Sequence, residues 1–150
     1  MDSEGIYIVA NSREFKTTVA NIFQKNIPTV SYTFFNTSDE LIDLLCSPQT
    51  NRLPSVIMLA NYMAGSNALN ILQHLKKSQG QNPGFLKRIP VIVLVGDESN
   101  ADIIACYRAG ANAVLRKPED HEGLTNTFLS ICDFWMTINT GPEFRKSGTF

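Results

Sequence analysis

Residues 89–118 read IPVIVLVGDESNADIIACYRAGANAVLRKP, and this stretch decides the fold. Pro90 opens an uninterrupted apolar run, Val91–Val95, of the kind that suits a strand buried on both faces in a parallel sheet. Gly96-Asp97-Glu98-Ser99-Asn100 is turn chemistry, and Ser99 or Asn100 can cap the helix that follows. That helix is expected over Ala101–Ala109, ending at Gly110, a residue suited to a left-handed stop. A second short strand follows at Ala113–Leu115, then Arg116-Lys117-Pro118. Strand, helix, glycine, strand is a βαβ unit, whose parallel pair takes a right-handed crossover.

The same alternation runs back toward the N-terminus. Ile6–Ala10 reads as a strand, and Ser12 caps a helix through about Lys25 with Phe15, Val19, Ile22 and Phe23 on one face. Pro28 ends it, and Val30–Phe35 reads as a second strand. Thr37 and Glu40 have capping-box spacing ahead of a helix carrying Leu41, Ile42, Leu44 and Leu45. Ser55–Ala60 reads as the central strand, Asn61–Ser66 as a loop, and Asn67–Lys77 as a helix with Leu69, Ile71, Leu72 and Leu75 apolar. A long loop, Ser78–Lys87, leads into the opening stretch. The last helix is expected from about Glu119 to Thr137, with Leu124, Phe128, Ile131, Cys132 and Trp135 as a core-facing stripe. Five strands alternating with five helices make an α/β doubly wound sheet. In such sheets the site lies beyond the carboxyl ends of the strands.

Composition excludes several classes of function. A chain of 150 residues is one domain by length and buries about 68–70% of its unfolded surface. A net charge of −1 argues against nucleic acid or an anionic membrane as the main partner. Cys46, Cys106 and Cys132 are widely spaced in apolar helical contexts, so they read as reduced core residues rather than a disulfide or metal set. The chain starts without a basic leader or a long apolar stretch, and a cytoplasmic location is expected. His74 and His121 have no partner set that suggests catalysis or metal, and no cofactor is expected.

The unit from Ile89 to Pro118 resembles the second half of a response-regulator receiver domain, a family whose fifth strand ends in Lys-Pro, as Lys117-Pro118 does here. The resemblance implies a flavodoxin-like five-stranded parallel sheet of order 2-1-3-4-5 with five helices, over residues 1–138, with 139–150 as a C-terminal tail. It also implies a set of site positions. Receivers accept a phosphoryl group on an aspartate ending the third strand, and that position falls at Ala60. The acidic pair that holds Mg²⁺ falls at Ala10 and Asn11. The hydroxyl on the fourth strand falls at Val95, and the aromatic switch on the fifth strand falls at Val114. Lys117 is the one retained group. Ala60 offers no carboxylate for an acyl phosphate, and Ala10 and Asn11 offer too little to a cation that gives up water reluctantly. The same substitutions also remove repulsion between clustered carboxylates, which makes a more stable scaffold. Lys117 then reads as a remnant with a surface ion pair, Asp97 being a candidate partner, Ser12 as a helix cap, and Asn61 as an exposed turn residue.

The stretch Asn82–Pro90 and the aromatic pair Phe134-Trp135 resemble features of small stand-alone receivers that accompany bacteriophytochromes. The expected function is a stand-alone pseudo-receiver in bacterial two-component signalling, a protein–protein interaction module and not an enzyme. Its expected partner is a sensor histidine kinase or a phytochrome. The twelve residues after Ile138 are too few for an output domain, so none is expected. The apolar end of the last helix, Phe134, Trp135, Met136 and Ile138, is expected to form a homodimer interface, against the alternative that Trp135 folds back on its own domain. A rival function is a small anion or ligand binder, or an enzyme, using the crevice around Lys117. A third is a phosphate-driven switch with another acceptor, for which Asp97 is the nearest carboxylate.

Overall fold

The computed structural model describes residues 5–47, 53–60, 65–76, 88–96 and 99–138, with backbone alone for 65–70 and 136–138. The strands are β1 (Ile6–Val9), β2 (Tyr32–Phe35), β3 (Val56–Leu59), β4 (Val91–Val95) and β5 (Ala113–Arg116). The helices are α1 (Arg13–Asn26), α2 (Ser38–Leu45), α3 (Gly65–Lys76), α4 (Asn100–Arg108) and α5 (His121–Ile131). All neighbouring strands are parallel, in the flavodoxin-like order β2-β1-β3-β4-β5. Among the described residues no helix is long and apolar enough to cross a membrane.

The continuous apolar runs follow from two cores, one on each side of the sheet. Tyr7, Val9, Ile57, Leu59, Val91, Val93 and Val95 face Leu41, Leu45, Ile71, Leu72, Leu75 and Cys106 of α2, α3 and α4. Ile6, Ile8, Val56, Met58, Ile92 and Leu94 face Phe15, Val19, Ile22, Phe23, Leu124, Phe128 and Ile131 of α1 and α5. Successive strand residues point to opposite faces, so a strand covered twice must be apolar throughout.

Local capping sets the helix starts. Ser12 Oγ accepts from the Phe15 N–H at 3.1 Å. Ser99 Oγ accepts from the Asp102 N–H, and the Asp102 carboxylate accepts from the Ser99 N–H, a complete capping box. α4 then stops in a Schellman turn. Gly110, at φ 115°, donates to the Tyr107 carbonyl, and Ala111 donates to the Cys106 carbonyl. A Cβ on Gly110 would also lie 2.7 Å from Lys76 Cβ, whose side chain crosses here to reach the Ile89 carbonyl at 2.6 Å.

Three expectations are corrected. The Thr37–Glu40 box is only half formed: Thr37 accepts from the Glu40 N–H, while the Glu40 carboxylate reaches past it to the Asn36 N–H. In the helix that follows, Leu44 is exposed, because Leu41 and Leu45 take the core side of a short helix. The second strand starts at Tyr32, since Val30 is drawn into a turn by its bond to the Ile27 carbonyl. The last helix is not one α-helix, for α5 gives way to a π-helical segment, Cys132–Ile138. The loop Ser78–Lys87, Asn61, Asp97 and the tail 139–150 lie outside the described residues.

Candidate functional site at the carboxyl ends of the strands

Register brings the expected site positions to one edge of the sheet. Val9 pairs with Leu59, so Ala10 and Ala60 follow side by side on neighbouring strands, spaced about 4.8 Å apart. Their backbones extend the sheet: the Ala10 N–H donates to the Phe35 carbonyl and the Ala60 N–H to the Val9 carbonyl, both at 2.9 Å. Val95 ends β4, and its carbonyl accepts from the Lys117 N–H at 2.7 Å. The sequence-derived positions Ala10, Asn11, Ala60, Val95 and Lys117 therefore converge where a doubly wound sheet places its site.

Burial divides this group. Ala10, Ala60 and Val95 are 1%, 3% and 4% exposed, while Asn11 and Lys117 are exposed. Ala10 and Ala60 belong to the core under α1 and α5, and Val95 belongs to the opposite core. Three of the positions at this edge thus present methyl groups packed into the interior. Among the described residues, no three His, Cys, Asp or Glu side chains gather where they could hold a metal ion.

Three polar groups at the edge, Arg116, Lys16 and Ser12, are engaged with backbone and neighbours. Arg116 Nη1 donates to the Gly96 carbonyl at 2.8 Å, tying the end of β5 to the end of β4. Lys16 of α1 donates to Asn36 Oδ1 beyond β2. Ser12 serves as the α1 cap, as its position before the helix implies. Spacing carries no signal for Arg116, because its partner is a main-chain carbonyl brought near only by strand pairing.

Away from the edge, Val114 is half-buried on β5, and its N–H donates to the Tyr107 hydroxyl of α4 at 3.1 Å. An aromatic side chain does reach this strand position, but it comes from the preceding helix. Pro118, half-buried, follows the strand and precedes α5, whose N-cap is Asp120. At the far end of the molecule Trp135 is half-buried against the α1–α5 core, whereas Phe134 is 49% exposed. Their rings meet edge to face with centroids 4.8 Å apart. Side chains of Met136 and Ile138 lie outside the described set. Burial pushes the Cys132 thiol up to about 11.

Known proteins share this architecture. The chain is 33% identical over 89 residues to the response regulator Rcp1 of Synechocystis, a match covering 59% of this chain and 57% of that protein. It is 29% identical over 90 residues to a probable methanogenesis regulatory protein, FilR2, of Methanothrix harundinacea, covering 60% of this chain and 55% of that one. The chain thus spans little more than half the length of these relatives in alignment. The crystal structure of the phosphorylated cyanobacterial phytochrome response regulator RcpA superposes with a TM-score of 0.79 at 20% identity, covering 94% of this chain and 99% of that one. The model of the response regulator receiver domain matches residues 6–129, from the first residue of β1 into the last turn of α5. With that match running through every strand and helix of the sheet, this protein belongs to the response regulator receiver domain family.

Proposed function

We propose that this receiver is a phosphorylation-independent protein–protein interaction module of two-component signalling, working in the cytoplasm. One observation carries the reading: the positions that correspond to phospho-acceptor, first acid and hydroxyl are Ala60, Ala10 and Val95, all closed into the cores. An acyl phosphate needs a carboxylate reachable by a phosphodonor, and the methyl of Ala60 is neither reactive nor exposed. Mg²⁺ demands near-octahedral oxygen ligation, and of the acidic-pair positions only Asn11 brings a side-chain oxygen, uncharged. Lys117 is the one group of the family's site that this edge keeps.

In this reading the protein signals through what binds its surface. A sensor histidine kinase or a phytochrome is the partner we assign, supported by the likeness to Rcp1 and to a phytochrome response regulator. Phe134 is the exposed aromatic at the end of the last helix, and it is the contact we assign to pairing with a second copy. Trp135 then supports Phe134 from the core side through the edge-to-face contact.

The test is incubation with acetyl phosphate and Mg²⁺, followed by intact mass. The expected result is an unchanged mass. A stoichiometric gain of one phosphoryl group, removed by hydroxylamine, would overturn the proposal.

A further inference from the structure

The two outer strands of the sheet are β2 and β5. At β5 the Val114 N–H is held by the Tyr107 hydroxyl, and the strand ends in Arg116 and Lys117. β2 carries no such protection: Tyr32-Thr33-Phe34-Phe35 holds no charge, proline or glycine. Bonds to β1 settle which way its main chain faces. The Ile6 N–H donates to the Ser31 carbonyl and the Ala10 N–H to the Phe35 carbonyl, so alternate residues Ser31, Thr33 and Phe35 turn to β1. The N–H and C=O groups of Tyr32 and Phe34 face outward, and among the described residues neither main chain has a hydrogen-bond partner there. The row is bounded at both ends. The Val30 N–H is taken by the Ile27 carbonyl and the Asn36 N–H by the Glu40 carboxylate. It is also stiff: the Tyr32 ring stacks on Phe23 of α1 with centroids 4.6 Å apart and meets Phe34 edge to face at 5.6 Å.

We infer that this β2 edge pairs with the β2 edge of a second copy, the two strands running antiparallel about a two-fold axis at Thr33. The second copy follows from self-complementarity. With Thr33 opposite Thr33, Tyr32 falls opposite the other chain's Phe34. These are the two residues whose main-chain groups face outward, so each such pair exchanges both of its hydrogen bonds and none in the row is left over. Centring the axis on Tyr32 or Phe34 instead would call on the Val30 or Asn36 N–H, both already taken. The side chains agree with this register. Tyr32 and Phe34 pack on the α1 side, where the aromatic row of one chain continues into that of the other. Thr33 is exposed and meets its mate as a close non-hydrogen-bonded pair, while Ser31 falls opposite Phe35, so no like charges face one another. The pairing uses neither Phe134 nor the site at the carboxyl ends of the strands, and it goes beyond the function proposed above.

Thr33 gives the test, because it is exposed and its side chain sits at the axis. Light scattering over a range of concentrations is run in the Phe134→Ala background, which removes the other surface assigned to pairing. The mass should rise toward that of a dimer, and the Tyr32 and Phe34 amides should exchange more slowly as concentration rises. Adding Thr33→Lys or Thr33→Glu, each in a chain still showing a cooperative melt, should abolish the rise by setting like charges at the axis. The two variants mixed in equal amounts should regain the dimer. A fall in mass from the parent to Phe134→Ala reads the other surface by itself, so failure at β2 and failure at Phe134 are told apart. Should a Thr33 variant not fold, exchange at Tyr32 and Phe34 in Phe134→Ala decides the matter alone. A Phe134→Ala chain that stays monomeric throughout would overturn the pairing. So would exchange at those two amides that ignores concentration, association untouched by Thr33→Lys, or a mixture that stays monomeric.

Discussion

Ala60→Asp restores a carboxylate at the position that the family resemblance gives to the phospho-acceptor, and the structure sets its cost. Ala60 is 3% exposed and packed in the core beneath α1 and α5, beside Ala10 on the neighbouring strand. A carboxyl group desolvated there, with no acidic pair and no metal, has its pKa raised. A rise of about 2 units over the ordinary 3.9 costs about 3 kcal/mol once the group is ionised. The folded form holds its proton more tightly than the unfolded form, so the penalty is full above the folded pKa, near 6, and absent below about 4. Crowding of the larger side chain adds a part independent of pH, roughly 1–3 kcal/mol. For a chain of this size the electrostatic part lowers the melting temperature by roughly 6–12 °C at pH 7. Melts of the variant and its parent at pH 7 and pH 4.5 read it directly, with the gap between them narrowing at the lower pH. A variant as stable as its parent at pH 7 would refute the reasoning, since the carboxylate would then be solvated or paired. Phosphorylation of the variant by acetyl phosphate and Mg²⁺ would refute it too, by showing a working metal site.

Three further outcomes follow from local structure. Ser99→Ala removes the side-chain half of the α4 capping box, leaving the N–H at 99 to the Asp102 carboxylate, and should destabilise the protein by about 1 kcal/mol, read by urea midpoint; a neutral result would show that water replaces the cap. Gly110→Ala forces a side chain onto φ 115° and against Lys76, so a loss of about 2 kcal/mol or more is expected in the same assay. Native Cys132, buried and with its thiol pushed up to about 11, should resist a disulfide reagent at pH 8 until the chain unfolds. By the same linkage, stability should fall between pH 9 and pH 11, less so in Cys132→Ala, and equal slopes in the two would remove the linkage.

Much of the fold is legible because its signals are local. Val91–Val95 is the strand that its composition implies, and Ser12, Ser99 and Gly110 act within a few residues of themselves. The π-helical segment is less legible, since the apolar stripe through Trp135 suits a turn closed at the fourth residue as well as one closed at the fifth. Leu44 shows a related limit: periodicity names the apolar face, but a helix of eight residues has room to bury only part of it.

The candidate site divides along the same line. Residue types alone show that Ala10, Ala60 and Val95 lack the oxygens that phosphoryl and metal chemistry need. Only strand register shows that Ala10 and Ala60 sit side by side, and only packing shows that both have become core. A site missing its ligands on an open surface could be repaired by restoring one of them, or could take another ligand in the space. A site whose methyls are buried has no such space, and each restored carboxylate must also be desolvated. Arg116 bonded to the Gly96 carbonyl and Tyr107 bonded to the Val114 amide point the same way. Both join parts of the fourth-strand, fourth-helix and fifth-strand region by fixed hydrogen bonds. In the function we propose, no acyl phosphate forms at Ala60, and a rearrangement of that region takes its free energy from a partner binding at the surface.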